Sequence, residues 1–418
     1  MRVLIFGLMA AFGFLVPSLA LAQEPEQRAD SLEQEVRLLR MRLDSLEQML
    51  MRLISEGEDT VEVVDELAAL RAAARAVVPE QVADTAPDKF VLRSRNLNDY
   101  NPEISLSADV RILGHRPGPQ EDNFDLREFS LGFQSALDPF SNTKVFFSFS
   151  EEGVEVEEAY AYWTGLPGGL RLDVGRFRQQ LGELNRWHLH SVPETEYPMV
   201  LTDFFGEGGL AGNGVNAYWV LPVTTVGGGV HEFWGQVTQG ENEVAFDGGS
   251  RPSFLGHLNN FWQVSRATYF QIGATALYGR NPDFDLETTV FGADFRLTWR
   301  PPQQSLYKEF TIRGEGYAIR KEYAGVGGTR LGGYVSADYK LSQRMYFGSR
   351  FDYVEMLATP DEYKWAIVPN LTFWQSEWVV LRAEWQHLSV PILTGRDVSD
   401  RFVLQAIWSI GPHKHESY

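Results

Sequence analysis

The chain has 418 residues, no cysteine, 13% aromatic residues and a formal net charge of −19. Without cysteine it forms no disulfide and offers no thiolate to a metal, and the acidic balance argues against a nucleic-acid partner, which needs a basic surface. The length fits two ordinary domains or one long barrel.

The first 22 residues have the composition of a secretory signal peptide. Arg2 supplies a positive charge, residues 3–16 form an apolar stretch, and residues 20–22 (Ala-Leu-Ala) form a small-residue cleavage pattern. The sequence therefore predicts an exported chain that begins at Gln23 after cleavage. An uncleaved membrane anchor is the alternative. No later stretch contains the 18 or more apolar residues expected of a membrane-spanning helix.

Residues 30–78 carry the pattern of a coiled-coil stalk. Leucine and valine recur at alternating spacings of four and three residues, which gives the narrow apolar seam of a coiled coil. Arg42 and Glu47 flank the seam at positions that pair between parallel chains. The seam is weaker after Gly57, and a single amphipathic helix lying on the barrel is the alternative. The predicted oligomerisation residues are Leu32, Val36, Leu39, Arg42, Leu43, Leu46, Glu47, Leu50 and Leu53.

The hexapeptide Arg42-Leu43-Asp44-Ser45-Leu46-Glu47 resembles a pattern found in trimeric parallel coiled coils. This resemblance favours three chains in the stalk. Pro79 and Pro87 then interrupt helix formation, so residues 79–100 are predicted to be a linker.

From residue 101 to residue 418 the apolar period changes from helical to two. Ile104, Leu106 and Ala108 alternate with polar residues, and about sixteen segments of this kind are separated by turn residues, as in a transmembrane β-barrel. The predicted fold is therefore an all-β transmembrane barrel of about 16 antiparallel strands, preceded by an α-helical coiled coil. A water-soluble β-sandwich or propeller is the alternative. The clearest further segments are 129–133, 145–149, 170–174, 291–299 and 379–385.

The connections between these segments alternate between short and long, as a barrel with tight turns at one end requires. Trp163, Trp219, Trp299, Trp374 and Trp408 lie near predicted strand ends, where aromatic rings contact the membrane interface and its lipids. The stalk is predicted on the turn side, which is periplasmic. The predicted long connections are residues 114–123, 178–213, 238–251, 322–328 and 389–400.

In pattern and strand count, residues 101–418 resemble the Gram-negative outer-membrane porins, including the porin O and P group. The resemblance implies an outer-membrane location in a Gram-negative-type bacterium, with the stalk in the periplasm, and a homotrimer. Residues 178–213 follow the fifth predicted strand. They therefore take the place of the third external loop, which in general porins folds inward and narrows the pore. A loop that only caps the mouth is the alternative.

Opposite charges recur two residues apart along the predicted strands, and hence on one face of each strand. Facing lipid they would be costly, whereas facing the lumen they form a polar wall of mixed sign. A closed, plugged barrel with self-neutralising pairs is the alternative to a channel. The predicted pore-lining or constriction residues are Asp109, Arg111, Arg171, Asp173, Arg176, Arg178, Glu183, Arg186, Asp294, Arg296, Arg313, Glu315, Arg350, Asp352, Arg382 and Glu384.

His188 and His190 lie near Glu183, Glu194 and Glu196, but two histidines are fewer than a zinc site usually has. The sequence predicts no metal, no cofactor and no enzyme motif. The predicted function is a porin-type channel for passive diffusion of small hydrophilic solutes or ions, with a weak preference for cations. A structural tether that links the barrel to the cell-wall layer through the coiled coil is the second hypothesis.

Overall fold

The structure is a computed structural model that describes residues 102–117, 124–151, 153–222, 228–281, 286–322, 328–359 and 361–411. The predicted signal peptide, the coiled coil of residues 30–78 and the linker of residues 79–100 lie outside the described residues, so these three predictions stay predictions.

The described chain forms sixteen strands that close into one antiparallel barrel. The strands are β1 Glu103–Arg116, β2 Phe124–Ala136, β3 Ser141–Ser150, β4 Gly153–Leu166, β5 Leu170–Arg178, β6 Ala211–Val220, β7 Val230–Gln239, β8 Pro252–Gln263, β9 Thr268–Arg280, β10 Glu287–Trp299, β11 Phe310–Lys321, β12 Thr329–Lys340, β13 Met345–Glu355, β14 Tyr363–Trp374, β15 Val379–Ile392 and β16 Gly395–Ile410.

Each strand pairs with the next along the chain, and β16 closes the barrel on β1. This last ladder runs from Leu106 opposite Ile410 to Arg116 opposite Asp400. Closure leaves the sheet without a free edge, which a sheet in lipid requires. The predicted barrel of about sixteen antiparallel strands is therefore confirmed.

The period-two alternation separates an apolar outer face from a largely polar inner face. On β13, Phe347 and Phe351 are 49% and 48% exposed, whereas Arg350 and Asp352 between and beside them are 1% and 0% exposed. Adjacent residues of a strand point to opposite faces, so the exposed rings face outward and the charges face the interior. This is the distribution expected of a barrel surrounded by lipid.

The two ends of the barrel differ in their connections. The turns after β2, β8, β12 and β14 are short, whereas residues 179–210 join β5 to β6 at the opposite end. The prediction of a long connection over residues 389–400 is wrong. There, β15 and β16 continue to a two-residue turn at Leu393 and Thr394, because alternation persists through a segment whose polar residues suggested a loop.

The predicted tryptophans lie near the strand ends at the short-turn end of the barrel. Trp299 and Trp374 are the last residues of β10 and β14, and Trp219 and Trp408 lie close to the ends of β6 and β16. These four rings are 37–40% exposed on the outer face. This is the arrangement expected of an aromatic belt at a membrane interface.

In the described part of the chain, two short α-helices lie in the connections, α1 at Met199–Phe205 between β5 and β6, and α2 at Glu243–Phe246 between β7 and β8. Among the described residues, neither helix is long and apolar enough to cross a membrane.

Candidate functional site: the barrel lumen and the segment inside it

The connection between β5 and β6, residues 179–210, folds into the interior of the barrel and is named the lumen segment. Leu181, Leu184, Val200 and Leu201 have no exposed surface, although they belong to a connection rather than to a strand. The segment therefore lies inside the barrel, as the porin resemblance implied, rather than over its mouth. Its effect on the passage of solutes stays a prediction.

An apolar cluster holds the helical part of the lumen segment. Phe204 and Phe205 of α1 are almost fully buried, and the Phe205 ring packs edge-on against Tyr317 of β11 with centroids 6.0 Å apart. Burying each such side chain contributes roughly 1.5–3 kcal/mol. The wall residues of this cluster, on β8 to β14, are Leu255, Leu277, Val290, Tyr317, Ile319, Tyr334, Val354, Ala366 and Val368.

A glycine allows α1 to approach the wall closely. A Cβ placed on Gly332 of β12 would lie 2.7 Å from a Val200 methyl carbon and 3.1 Å from the Phe204 ring. Real Cβ atoms do not come this close to other carbons, so any larger residue at this position would push α1 away from the strand.

The connection between β7 and β8 also enters the barrel. Phe246 of α2 is 1% exposed and belongs to the same apolar cluster as α1. The Lys321 ammonium of β11 donates to the Val244 carbonyl at 2.5 Å and pairs with Asp247 at 2.7 Å. Two connections, those between β5 and β6 and between β7 and β8, thus share one apolar core on this side of the lumen.

Five arginines on the opposite side of the lumen bind a short stretch of the lumen segment, residues 192–197. They belong to five different strands and are named the arginine wall. The arginine wall consists of Arg111 of β1, Arg127 of β2, Arg350 of β13, Arg382 of β15 and Arg401 of β16.

Glu196 of the lumen segment contacts three of these arginines. Its carboxylate accepts from Arg111 at 2.6 Å and from Arg401 at 3.2 Å, and it forms a further ion pair with Arg127. Burial alone would raise the pKa of the Glu196 carboxyl, but Arg127, Arg401 and Arg111 hold that pKa below its ordinary value. Glu196 is therefore a carboxylate held by three arginines.

Arg350 and Arg382 hold the preceding residues of the segment. Arg350 donates to the Glu194 carboxylate at 3.1 Å and to the Glu196 carbonyl at 2.9 Å, and its own side chain is 1% exposed. Arg382 donates to the carbonyls of Glu194 at 2.7 Å and Val192 at 3.1 Å. The arginine wall thus binds both side-chain and backbone oxygens of one peptide stretch.

The wall at β10 and β11 binds the beginning of the lumen segment with carboxylates as well as cations. The Glu315 carboxylate accepts from the backbone N–H groups of Glu183 at 3.1 Å and Leu184 at 2.8 Å. Glu183 in turn pairs with Arg296 at 2.6 Å, and the Arg313 guanidinium lies 5.6 Å from the centre of the Trp187 ring. The segment is therefore bound on opposite sides of the barrel.

Two histidines of the lumen segment bind glutamates of β2 and β4. His188 lies 2.7 Å from the Glu157 carboxylate through Nδ1 and 3.2 Å from that of Glu158 through Nε2, while His190 lies 2.8 Å from Glu128. Burial would lower the pKa of His188, but Glu157 and Glu158 raise it to about 9. His188 is therefore a cation at neutral pH.

These histidines do not form a metal site in the structure. Both ring nitrogens of His188 face carboxylates as ion-pair partners. Among the described residues, no group of three or more histidine, cysteine or acidic side chains could hold a metal ion.

Sequence reasoning missed Arg127, Glu128, Glu157 and Glu158, because strict alternation would send one member of each consecutive pair into lipid. The ladder register shifts between Asp109 and Val110 opposite β2, and between Phe146 and Phe147 opposite β4. Each shift is a β-bulge that gives one strand an extra residue, here Arg127 and Glu157. Two adjacent charges inside an alternating strand were the available signal for a bulge.

Twelve of the predicted site residues lie on the inward face of the strands, and their role in lining a pore stays a prediction. Arg171 pairs with Asp173 at 2.7 Å and Arg350 with Asp352 at 2.9 Å, within their own strands as the spacing predicted. Other charges bond elsewhere, for example Arg313 to Asp338 at 3.4 Å. The predicted residues on the inward face are Asp109, Arg111, Arg171, Asp173, Asp294, Arg296, Arg313, Glu315, Arg350, Asp352, Arg382 and Glu384.

Arg178, Glu183 and Arg186 belong to the lumen segment or its entrance. Arg178 donates to the Asn185 carbonyl at 2.8 Å and to the Tyr197 hydroxyl at 2.7 Å, so it fixes the fold of the segment. Arg186 donates to the Gln180 side chain at 3.3 Å. The prediction for Arg176 differs from the structure: this side chain donates to the Val156 carbonyl at 2.8 Å and pairs with Glu241, because Arg176 lies on the same, outward face of β5 as the exposed Val174.

Comparisons with known proteins agree with this architecture. No family model matches the chain. An uncharacterised protein of Aquifex aeolicus is 38% identical over 136 residues, which are 32% of this chain and 28% of that protein. The chain thus spans less than a third of that relative's length.

Several solved outer-membrane proteins share the fold at low sequence identity. The outer-membrane channel DcaP of Acinetobacter baumannii has a TM-score of 0.52 and 12% identity over 74% of this chain and 96% of its own. An anion-selective porin from Comamonas acidovorans has a TM-score of 0.51 and 10% identity, over 74% and 100%. A trimer form of Vibrio cholerae OmpT has a TM-score of 0.50 and 10% identity, over 74% and 99%. The described chain therefore has a porin-like barrel fold.

Proposed function

We propose that the protein is an outer-membrane channel for small hydrophilic solutes or ions in a Gram-negative-type bacterium, and that the lumen segment controls passage through it. The observation that carries this proposal is the closed sixteen-stranded barrel whose inward face bears charged residues of both signs while its outer face is apolar. Barrels of this size enclose a space wide enough for an aqueous channel. The fold likeness to proteins described as channels and porins supports the same reading.

The position of the lumen segment decides whether that space conducts. The segment bonds to Arg111 on β1 and to Arg296 and Glu315 on β10 and β11, which lie across the barrel from each other. A solute must therefore pass beside the segment or displace part of it. Hydrogen bonds, ion pairs and apolar packing hold the segment, and the chain contains no cysteine that could fix it covalently.

A structural anchor that tethers the membrane to the cell-wall layer through the predicted coiled coil is the second candidate. The apolar cluster inside the lumen favours the anchor, because a buried apolar core such as that around Phe204 and Phe246 is not expected in a permanently water-filled channel. In this reading the segment stabilises the barrel and never leaves it.

Planar-bilayer recording of the purified full chain separates the two candidates. A channel gives discrete conductance steps, at low amplitude in the wild type and at higher amplitude when the lumen segment is shortened. An anchor gives no steps in either protein. Heat-resistant migration on gels is the control that each protein has a folded barrel.

A further inference from the structure

The arginine wall contains more guanidiniums than the lumen segment offers carboxylates to it. Five guanidiniums from β1, β2, β13, β15 and β16 converge on a stretch of six residues that contains two carboxylates, Glu194 and Glu196. Arginine is charged at every physiological pH, and removing such groups from water is costly unless anionic partners replace the water. The wall is therefore built for anions.

The groups that bind the five arginines are carboxylate and carbonyl oxygens, and between them the Thr195 N–H and hydroxyl donate to the Glu384 carboxylate of β15. Arg111 and Arg401 converge on one oxygen of Glu196, and Arg127 binds the other. Planar guanidiniums recognise carboxylates with strong, charge-assisted hydrogen bonds. The two glutamates thus present the chemistry that a small organic anion would present at the same place.

Withdrawal of residues 194–196 would take two negative charges from the wall and no positive charge. Arg111, Arg127 and Arg350 would each keep an acidic neighbour, since Asp125, Asp109 and Asp352 belong to the strands. Arg401 would lose Glu196, and its Nε is buried without a hydrogen-bond partner among the described residues even in the present arrangement.

We propose that the arginine wall is a binding site for carboxylate-bearing solutes, which Glu194 and Glu196 occupy in this structure as internal competitors. Dicarboxylates are favoured, because two glutamates of one stretch fill the site together. This inference rests on the proposed channel function. It differs from the weak cation preference expected from the sequence, since the structure gathers on one side of the lumen five arginines that are distant in the chain.

The opposite side of the lumen supplies a control for each single charge that the double variant removes. Glu183 is also a glutamate of the lumen segment, and it pairs with Arg296 at 2.6 Å on β10. Replacing Glu183 by Gln removes the same charge as replacing either proposed competitor, but it does so away from the arginine wall.

The test compares the wild type with Glu194→Gln/Glu196→Gln and with Glu183→Gln in liposomes and planar bilayers. The probes are succinate and the uncharged solute erythritol. The double variant is expected to raise succinate uptake relative to erythritol at least threefold and to shift the reversal potential in asymmetric KCl towards anions. Glu183→Gln is expected to leave the succinate-to-erythritol ratio within twofold of the wild type. Adding Arg111→Gln and Arg401→Gln to the double variant should abolish the gain, with heat resistance on gels confirming a folded barrel.

Each result decides a separate point. Equal gains for succinate and erythritol in the double variant would mean that the segment only blocks space, which overturns the carboxylate site but leaves the channel intact. The same succinate gain in Glu183→Gln also overturns it. If no protein in the series conducts, even with the lumen segment shortened, the channel function itself is wrong.

Discussion

The Nδ1 atom of His188, inside the barrel, lies 2.7 Å from the carboxylate of Glu157, the bulged residue of β4. This contact joins a connection to the wall through a group that titrates, and it does so beside Glu158, Glu128 and His190. Lys144 and Arg178 also face these glutamates, at 3.0 Å and 3.5 Å. The attachment of the lumen segment should therefore depend on pH.

The pKa of His188 is raised to about 9 in the folded protein, above its ordinary value of 6.5. The stabilisation from its charged form is complete below about pH 6.5 and disappears as the pH rises through about 9. Limited proteolysis of the lumen segment should accelerate between pH 8 and pH 10. In His188→Gln, cleavage should be faster at pH 7 and should lack this step. Equal cleavage of the wild type at pH 7 and pH 10 would contradict the prediction.

Apolar packing of α1 gives a second prediction. Phe204→Ala removes a fully buried ring from the cluster inside the lumen, and substitutions of this kind cost about 3–5 kcal/mol. The lost packing energy should destabilise the lumen segment rather than the hydrogen-bonded strand ladders. Proteolysis within residues 179–210 should therefore increase while the barrel stays heat-resistant.

The matched control for this change is Phe351→Ala, which removes the same ring from the outer face of β13, where it is 48% exposed. The lumen segment should be cleaved at the wild-type rate in this variant. If both variants are cleaved alike, the cluster around Phe204 does not hold the segment.

How far these features follow from sequence depends on the kind of residue. The strands follow from alternation, because each position faces either lipid or the lumen and its polarity reports which. The bulges at Arg127 and Glu157 do not follow, since an alternation rule has no place for an extra residue. The convergence of Arg401 with Arg111 requires the closure of β16 on β1, and that closure is a long-range pairing.

The apolar core of the lumen was also beyond sequence reasoning. Phe204 and Phe205 lie in a connection for which the sequence prediction rests on charged residues, and their wall partners occupy inward positions that a porin lumen should keep polar. Ile319, for example, faces inward on β11 and has no exposed surface. Alternation shows which residues face inward, but it does not show that an inward residue will be covered by another part of the chain. The apolar residues at these inward positions are explained by α1, which packs against them inside the barrel.

Shortening the lumen segment gives a third prediction. Replacement of residues 188–205 by a Gly-Ser linker removes both the contacts to the arginine wall and α1. Single-channel conductance should rise several-fold, because the barrel interior would then be open to water, and the barrel should stay heat-resistant because its ladders are unchanged.

The control for this experiment is the same linker in place of residues 302–308, an exposed connection between β10 and β11 at the short-turn end. Its conductance should match that of the wild type. Unchanged conductance in the protein with the shortened lumen segment would mean that the segment does not limit passage.

The last prediction concerns assembly, which we propose to be a homotrimer with a stalk formed by residues 30–78. The seam of leucines in that region is too narrow and too regular for one helix to bury alone, and the flanking charges complement each other between parallel chains. Replacing Leu39, Leu43 and Leu46 together by Asp should separate the three helices.

The barrel should still fold in this triple variant, because the pairing of β1 with β16 closes it within one chain. Cysteines introduced at Leu43 in an otherwise wild-type chain report the stalk directly, since the chain has no other cysteine, and facing seam positions in a parallel coiled coil are close enough to cross-link. Covalent dimers should form in mild detergent, because one thiol per chain can join only two chains, and they should vanish when Leu39 and Leu46 are changed to Asp in the same chain. A wild-type protein that migrates as a monomer, or a Leu43→Cys chain that forms no cross-link, would show that the stalk does not assemble, because a leucine seam in water is stable only when other helices cover it.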